Sequence, residues 1–327
     1  MATTSRSERS VDSRPSLSRC RGATLSTVRL AISLVLLIAC NARLPAVASD
    51  DPGFGSPAQL TILGYSGDAM EPFLTREGSI LIFNNSNEVP TETDLHWAER
   101  VDDVTFVYRG KIQGINSPAL DAVASVDRDG NIYFVTTRSY DQTLTTIYRG
   151  RFERGVVTDV APVSGISRGI PGQVNFDVEV SLDGSELYFV DGTFNGGPVP
   201  TAADLAIARR GPDGTFHRIA SDVLASVNTD ALEYAACLSE DELELFFTRI
   251  VDGQPAIYRC TRPDRSAAWG TPRRLSAITG FAEAPTIAPG GRILYYHARR
   301  NGRFVIERVL RQVPPLPKRR AVGRDGS

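Results

Sequence analysis

Residues Glu179 to Phe189 read EVSLDGSELYF: an acid, an apolar stretch, a tight Asp-Gly turn, then a β-rich run ending on an aromatic pair. Asp-Gly between apolar residues is a strong hairpin signal, because the turn needs residues that tolerate positive φ. The same grammar recurs on both sides, as EPFLTREGSILIF from Glu71, DAVASVDRDGNIYF from Asp121, EYAACLSEDELELFF from Glu233 and EAPTIAPGGRILYY from Glu283. The leading acids stand about 50 to 58 residues apart, room for four short strands and their turns. A fixed period of this size marks a propeller or a solenoid.

Working outward, each unit continues into a third strand: Leu95 to Ala98, Thr146 to Arg149, Leu205 to Arg209, Ala256 to Arg259 and Phe304 to Arg308. A fourth follows before the next acid, as in Val156 to Val160 and Arg273 to Leu275. No segment sustains a helical period. The pattern predicts an all-β chain, a five-bladed β-propeller of four-stranded antiparallel blades, with a six-bladed ring as the alternative. Leu60 to Leu63 precedes the first acid, and the last unit stops after its third strand near Arg311. An N-terminal strand can therefore complete the last blade and remove two sheet edges.

Ahead of the repeats, Leu30 to Ala39 (LAISLVLLIA) is an apolar run of about ten residues, suited to a signal-peptide core and too short for a typical membrane span. Two processing readings stand side by side. Leu37 to Cys40 resembles a lipobox, making Cys40 a lipidation candidate, and Ala46-Val47-Ala48 forms a small-residue cleavage site before Ser49. The n-region is long, which leaves room for a start downstream of Met1, and no twin-arginine pair precedes the core. The expected organisation is an export signal over 1–48, a linker over 49–56, the propeller over 57–312 and a Pro/basic tail over 313–327. The expected location is periplasmic or secreted, with membrane attachment only through a lipid on Cys40.

Formal net charge is -2 and both signs are interleaved, so no broad basic field exists to hold nucleic acid. Cys237 and Cys260 fall on the first and third strands of one blade, about 10 Å apart at the usual strand spacing, beyond disulfide reach. They are expected as free, packed thiols. The chain is expected to be a monomer.

The five segments resemble the WD-like repeat of TolB-like periplasmic propellers, whose units carry a similar acid, Pro, Ser, Asp-Gly, aromatic-Phe pattern. The resemblance covers nearly all of the chain after the leader. It implies a propeller fold but no single activity, because that repeat occurs in binding proteins, peptidase propellers and polysaccharide lyases alike. This chain departs from it at Glu240-Asp241, in place of Asp-Gly, and keeps the Pro after the acid only at Pro72.

Antiparallel strands place the inbound loops and the second-to-third loops on one face and the Gly turns on the other. That predicts one polar mouth, with Glu71, Asp121, Glu179, Glu233 and Glu283 as a ring of acids near the channel. Asn175, Asn228, Arg138 and Arg249 join them as ligand-binding candidates. An acid in every blade is what a structural role predicts, namely accepting N–H groups from a neighbouring blade. Glu179 and Glu233 are the stronger catalytic candidates, since Asp177 and Asp230 place a second carboxylate nearby and crowding can raise a pKa. His297 breaks the repeat at a position where other blades carry Asn84, Val135, Val190 and Thr248. Arg138 and Arg249 could clamp an anionic ligand group, although bridging between blades is the commoner use of such arginines. The aromatic pairs belong to packing layers, whereas Trp97 and Trp269 lie outside that register and are expected to be freer to face a ligand. No cofactor is expected, calcium in the acid ring being the alternative.

Two functions follow. One is a binding or scaffold module of the cell envelope that takes a protein, peptide or glycan at the mouth. The other is a glycoside hydrolase or polysaccharide lyase using channel carboxylates. The first needs nothing beyond the repeat.

Overall fold

The computed structural model describes residues 51, 53–87 and 93–312, so the signal, Cys40 and the basic tail lie outside it. Five sheets radiate from a common axis. After β1 (Ala58–Gln59) and β2 (Thr61–Leu63), blade 1 comprises β3 (Met70–Leu74), β4 (Ile80–Asn84), β5 (Leu95–Arg100) and β6 (Thr105–Lys111). Blade 2 comprises β7 (Asp121–Val126), β8 (Asn131–Thr136), β9 (Ile147–Glu153) and β10 (Val156–Pro162). Blade 3 comprises β11 (Gln173–Val180), β12 (Glu186–Thr193), β13 (Ala202–Arg210) and β14 (Phe216–Arg218). Blade 4 comprises β15 (Glu233–Leu238), β16 (Glu244–Val251), β17 (Gln254–Thr261) and β18 (Arg273–Arg274). Blade 5 comprises β19 (Ala282–Ile287), β20 (Ile293–Arg300) and β21 (Arg303–Leu310). No sixth sheet exists among the described residues.

The ring is closed by the N-terminal strand, in a form more divided than the sequence suggests. β1 pairs antiparallel with β21 and completes blade 5. Thr61 to Leu63, expected within the same strand, instead runs parallel to β6 and covers the outer edge of blade 1. Leu60 is the hinge, its N–H bonded to the Ile306 carbonyl. Even earlier, Asp51 bridges to Leu275 and Phe54 to Arg311, so this stretch ahead of residue 57 is docked on blades 4 and 5.

Between blades, the aromatic pairs Tyr133-Phe134, Tyr188-Phe189, Phe246-Phe247 and Tyr295-Tyr296 are all buried, which confirms them as packing layers. Cys237 and Cys260 are both free and buried.

Each innermost strand carries a β-bulge. Its extra residue has positive φ in every blade: Glu71, Val123, Asp177, Ala235 and Ala284. None is glycine, and such conformations cost of order 1–3 kcal/mol each unless neighbours hold them. They provide a common register for the five blades. Counted from the bulge, Glu71 is at position 0, Asp121 and Glu233 at −2, Glu179 at +2 and Glu283 at −1. The five leading acids are therefore not one ring of equivalent side chains, because the bulge shifts which residue faces the axis.

Candidate functional site

The bulges are held by side chains from neighbouring blades. At position +2, Ser125 Oγ accepts the Val180 N–H at 3.0 Å, Glu179 Oε1 accepts that of Leu238 at 3.2 Å, Cys237 Sγ that of Ile287 at 3.3 Å and Thr286 Oγ1 that of Leu74 at 3.4 Å. Glu179 is one pin in this ring. Its carboxylate also takes Ser125 Oγ–H at 2.7 Å and the guanidinium of Arg76 at 3.0 Å, so it ties four blades together. A second set lies at the mouth end of the second strands. Asn84 Oδ1 accepts the Val123 N–H, Thr248 Oγ1 that of Ala284 and His297 Nδ1 that of Glu71, at 3.3, 3.1 and 3.2 Å. His297 thus fills an anchoring position that Asn and Thr fill elsewhere.

Asp121 and Glu233 belong to a repeated clasp. Ser117 donates its N–H and O–H to Asp121, and Arg138 reaches both Asp121, at 2.6 Å, and the Ile115 carbonyl. In blade 4, Thr229 donates to Glu233 in the same way, and Arg249 joins Glu233 at 2.7 Å to the Val227 carbonyl at 2.6 Å. Asn116 and Asn228 each bond both backbone groups of the preceding blade's third strand, at Leu95 and Leu205. The signal for this clasp was in the sequence, as INSPALD at 115–121 and VNTDALE at 227–233. Asp230 is exposed and takes no part in it.

What remains at the axis is a compact acid cluster: Glu71, Asp177 and Glu283, with His297, Tyr234 and Asn87. The carboxyls are only 5%, 6% and 1% exposed, and no Lys or Arg bonds to any of them among the described residues. Glu283 accepts the Tyr234 O–H at 2.5 Å on one oxygen and faces His297 Nε2 at 3.0 Å with the other. Asn87 donates to Glu71 at 2.7 Å, and the Ala235 N–H donates to Asp177 at 3.1 Å. Burial, then the charges of Glu71 and Glu283, push the Asp177 pKa well above the usual carboxylate range. Burial raises Glu71 too. Burial works against a charged His297, but Glu71 and Glu283 outweigh it and the net direction is upward.

Glu71, Glu283 and His297 each offer a ligand atom within 4.8 Å of the others. The donors are nonetheless occupied. Nδ1 of His297 receives the Glu71 N–H, which leaves the neutral ring's hydrogen on Nε2, directed at Glu283. An ion using all three ligands would have to displace that hydrogen. The space beside the cluster consists of cavities of about 30 and 20 Å³, both lined by Glu71 and Asp177. Each has room for a water or a small ion and not for a sugar ring.

The rim is more open. At the mouth end of blade 3, a pocket of about 200 Å³ is lined by Arg168, Gln173, Asn175, Asp191, Thr193 and Asp204. Of these, Asn175 is a ligand-binding candidate from the sequence, and Asp191 falls on the mouth face by the same strand order. The tryptophans face no such space: Trp269 is buried beneath the Arg262 guanidinium, 4.2 Å from its ring, and the Trp97 indole lies on Gly155 of the next blade. A larger hollow of about 880 Å³ opens on the opposite, turn-bearing face. Glu244, its best-engaged acid, is already bonded to Arg259 and Arg311.

No family model and no curated protein sequence matches the chain. Solved structures do, at the level of fold. An α-L-arabinofuranosidase of Podospora anserina, solved with cellotriose, is 12% identical over 81% of this chain and 99% of that one, with a TM-score of 0.54. A family 117 glycoside hydrolase of Zobellia galactanivorans is 11% identical over 80% and 91%, at 0.53. TolB of Acinetobacter baumannii is 14% identical over 75% of this chain, at 0.43, and the chain spans 55% of its length. The likeness to the two glycoside hydrolases is one of fold alone.

Proposed function

We propose that this chain is an exported TolB-like propeller acting as a binding module of the cell envelope, with its ligand docking on the mouth face. One observation carries the reading: the channel carboxylates are either engaged by arginines and loop groups of the blades or line cavities of about 30 Å³ and less, while the open polar groups lie on the rim. A glycosidase needs two carboxyl groups flanking a bound glycosidic bond. The buried, high-pKa Asp177 is the feature that favours a hydrolase as second reading, since a general acid needs that property. Access to it is what that reading lacks.

The test is an array of glycans and peptides probed with the full-length protein and with rim variants on each face. Binding should fall when exposed mouth residues are replaced and persist when turn-face residues such as Glu240 are replaced. Binding that depends on the turn face alone would refute the assignment.

A further inference from the structure

The clasp that locks blades 2 and 4 is inverted in blade 3. Register places Asn175 where blade 4 has Glu233, and Asp191 where it has Arg249. The missing cation comes from outside: Arg218 on β14 bonds Asp191 and, at 2.9 Å, the Ile166 carbonyl, as Arg138 and Arg249 bond the Ile115 and Val227 carbonyls. Structural need is met by this substitution. The inversion also leaves hydrogen-bonding groups unused around the pocket of about 200 Å³. Asn175 donates to Asp191 at 2.7 Å, but its Oδ1, the Gln173 amide and the Asp204 carboxylate have no hydrogen-bond partner among the described residues. Arg168, half exposed, makes a single 3.3 Å contact with Asp191.

Resting on the binding-module reading, we infer that this blade 3 pocket receives a single sugar unit at the end of a glycan. Carboxylate, amide and hydroxyl groups together supply both acceptors and donors, the complement that a ring bearing several hydroxyls demands. Gly192 and Ala202 are the pocket's only non-polar walls, so it lacks the apolar seats by which peptide side chains are held. Its size suits one ring and not a chain. Arg168 at the rim adds preference for a ring carrying a carboxylate.

The experiment is titration of the full-length protein with methyl glycosides of a neutral hexose, an N-acetylhexosamine and a hexuronic acid, followed by ligand-observed NMR and calorimetry. At least one should bind. Asp204→Ala and Gln173→Ala, which remove no side-chain hydrogen bond among the described residues, should each weaken binding about tenfold or more without loss of thermal stability, and Glu71→Gln should leave it unaltered. Arg168→Ala should weaken the uronic acid selectively. Loss of binding in Glu71→Gln but not in Asp204→Ala would move the ligand to the channel, overturning this inference and leaving the binding module intact. Binding of peptides with no glycoside binding would also overturn it. Absence of any mouth-dependent ligand would instead remove the broader reading.

Discussion

His297 illustrates how a single side chain at the mouth holds two partners in place. Its Nδ1 satisfies the strained Glu71 backbone and its Nε2 meets Glu283. Removing it leaves a buried N–H and a buried carboxylate short of partners, a cost of about 1–3 kcal/mol for the unsatisfied group. His297→Ala should lower stability in urea denaturation by about that much. His297→Asn should recover part of it, because Asn84 performs the same backbone capture in blade 1. The acids beside it set a pH dependence. Asp177 and Glu71 hold their protons more tightly in the folded state than an unfolded carboxyl does. Above about pH 4 the native state therefore binds more protons than the unfolded one, and stability falls as pH rises toward the raised folded values. His297, also raised, adds loss in the same direction above its ordinary range. Asp177→Asn should flatten the slope of unfolding free energy against pH and stabilise the protein at neutral pH. An unchanged slope would exclude Asp177 as a proton-retaining group. The thiols test burial independently: Cys237 and Cys260 are pushed up to about 12 by burial, so neither should react with a disulfide reagent until the protein unfolds.

At the scale of strands and loops, the clasps make the sharpest prediction. Glu233 is fully buried against Arg249, and breaking a buried ion pair by removing one partner costs about 3–5 kcal/mol. Arg249→Met should approach that loss, with Arg138→Met close behind, because its partner Asp121 is equally buried. Arg168→Met, at an exposed contact, should change little. Equal effects of all three would contradict the clasp. These elements also explain what was legible. Hairpins, aromatic layers and third strands follow from local alternation and turn chemistry, and they stand where the sequence put them. The acid ring did not, because a bulge inserts one residue into each inner strand and moves equivalent side chains off the alternating pattern. The acids look alike in sequence but divide into a blade pin (Glu179), two clasps (Asp121 and Glu233) and an axial cluster (Glu71 and Glu283). Tyr234 and Asn87, which complete the cluster, carried no repeat signal, because proximity to the axis arises only when five blades close.

At the scale of the molecule, stability depends on closure. β1 supplies the fourth strand of blade 5, β2 covers blade 1, and Asp51 reaches Arg259 at 2.5 Å across a further blade. Deleting residues up to Leu63 should expose two sheet edges and produce a protein that unfolds at lower urea and self-associates, as measured by light scattering. Closure also buries the axial carboxylates, and whether they act on a glycan is the point on which the proposed binding module and a hydrolase differ. The deciding measurement is release of reducing ends from a broad set of envelope and plant polysaccharides by wild type and Asp177→Asn, at protein concentrations where binding is saturated. Glycan binding in both proteins with no accumulation of reducing ends is the predicted result. Time-dependent release by wild type that Asp177→Asn abolishes would contradict it.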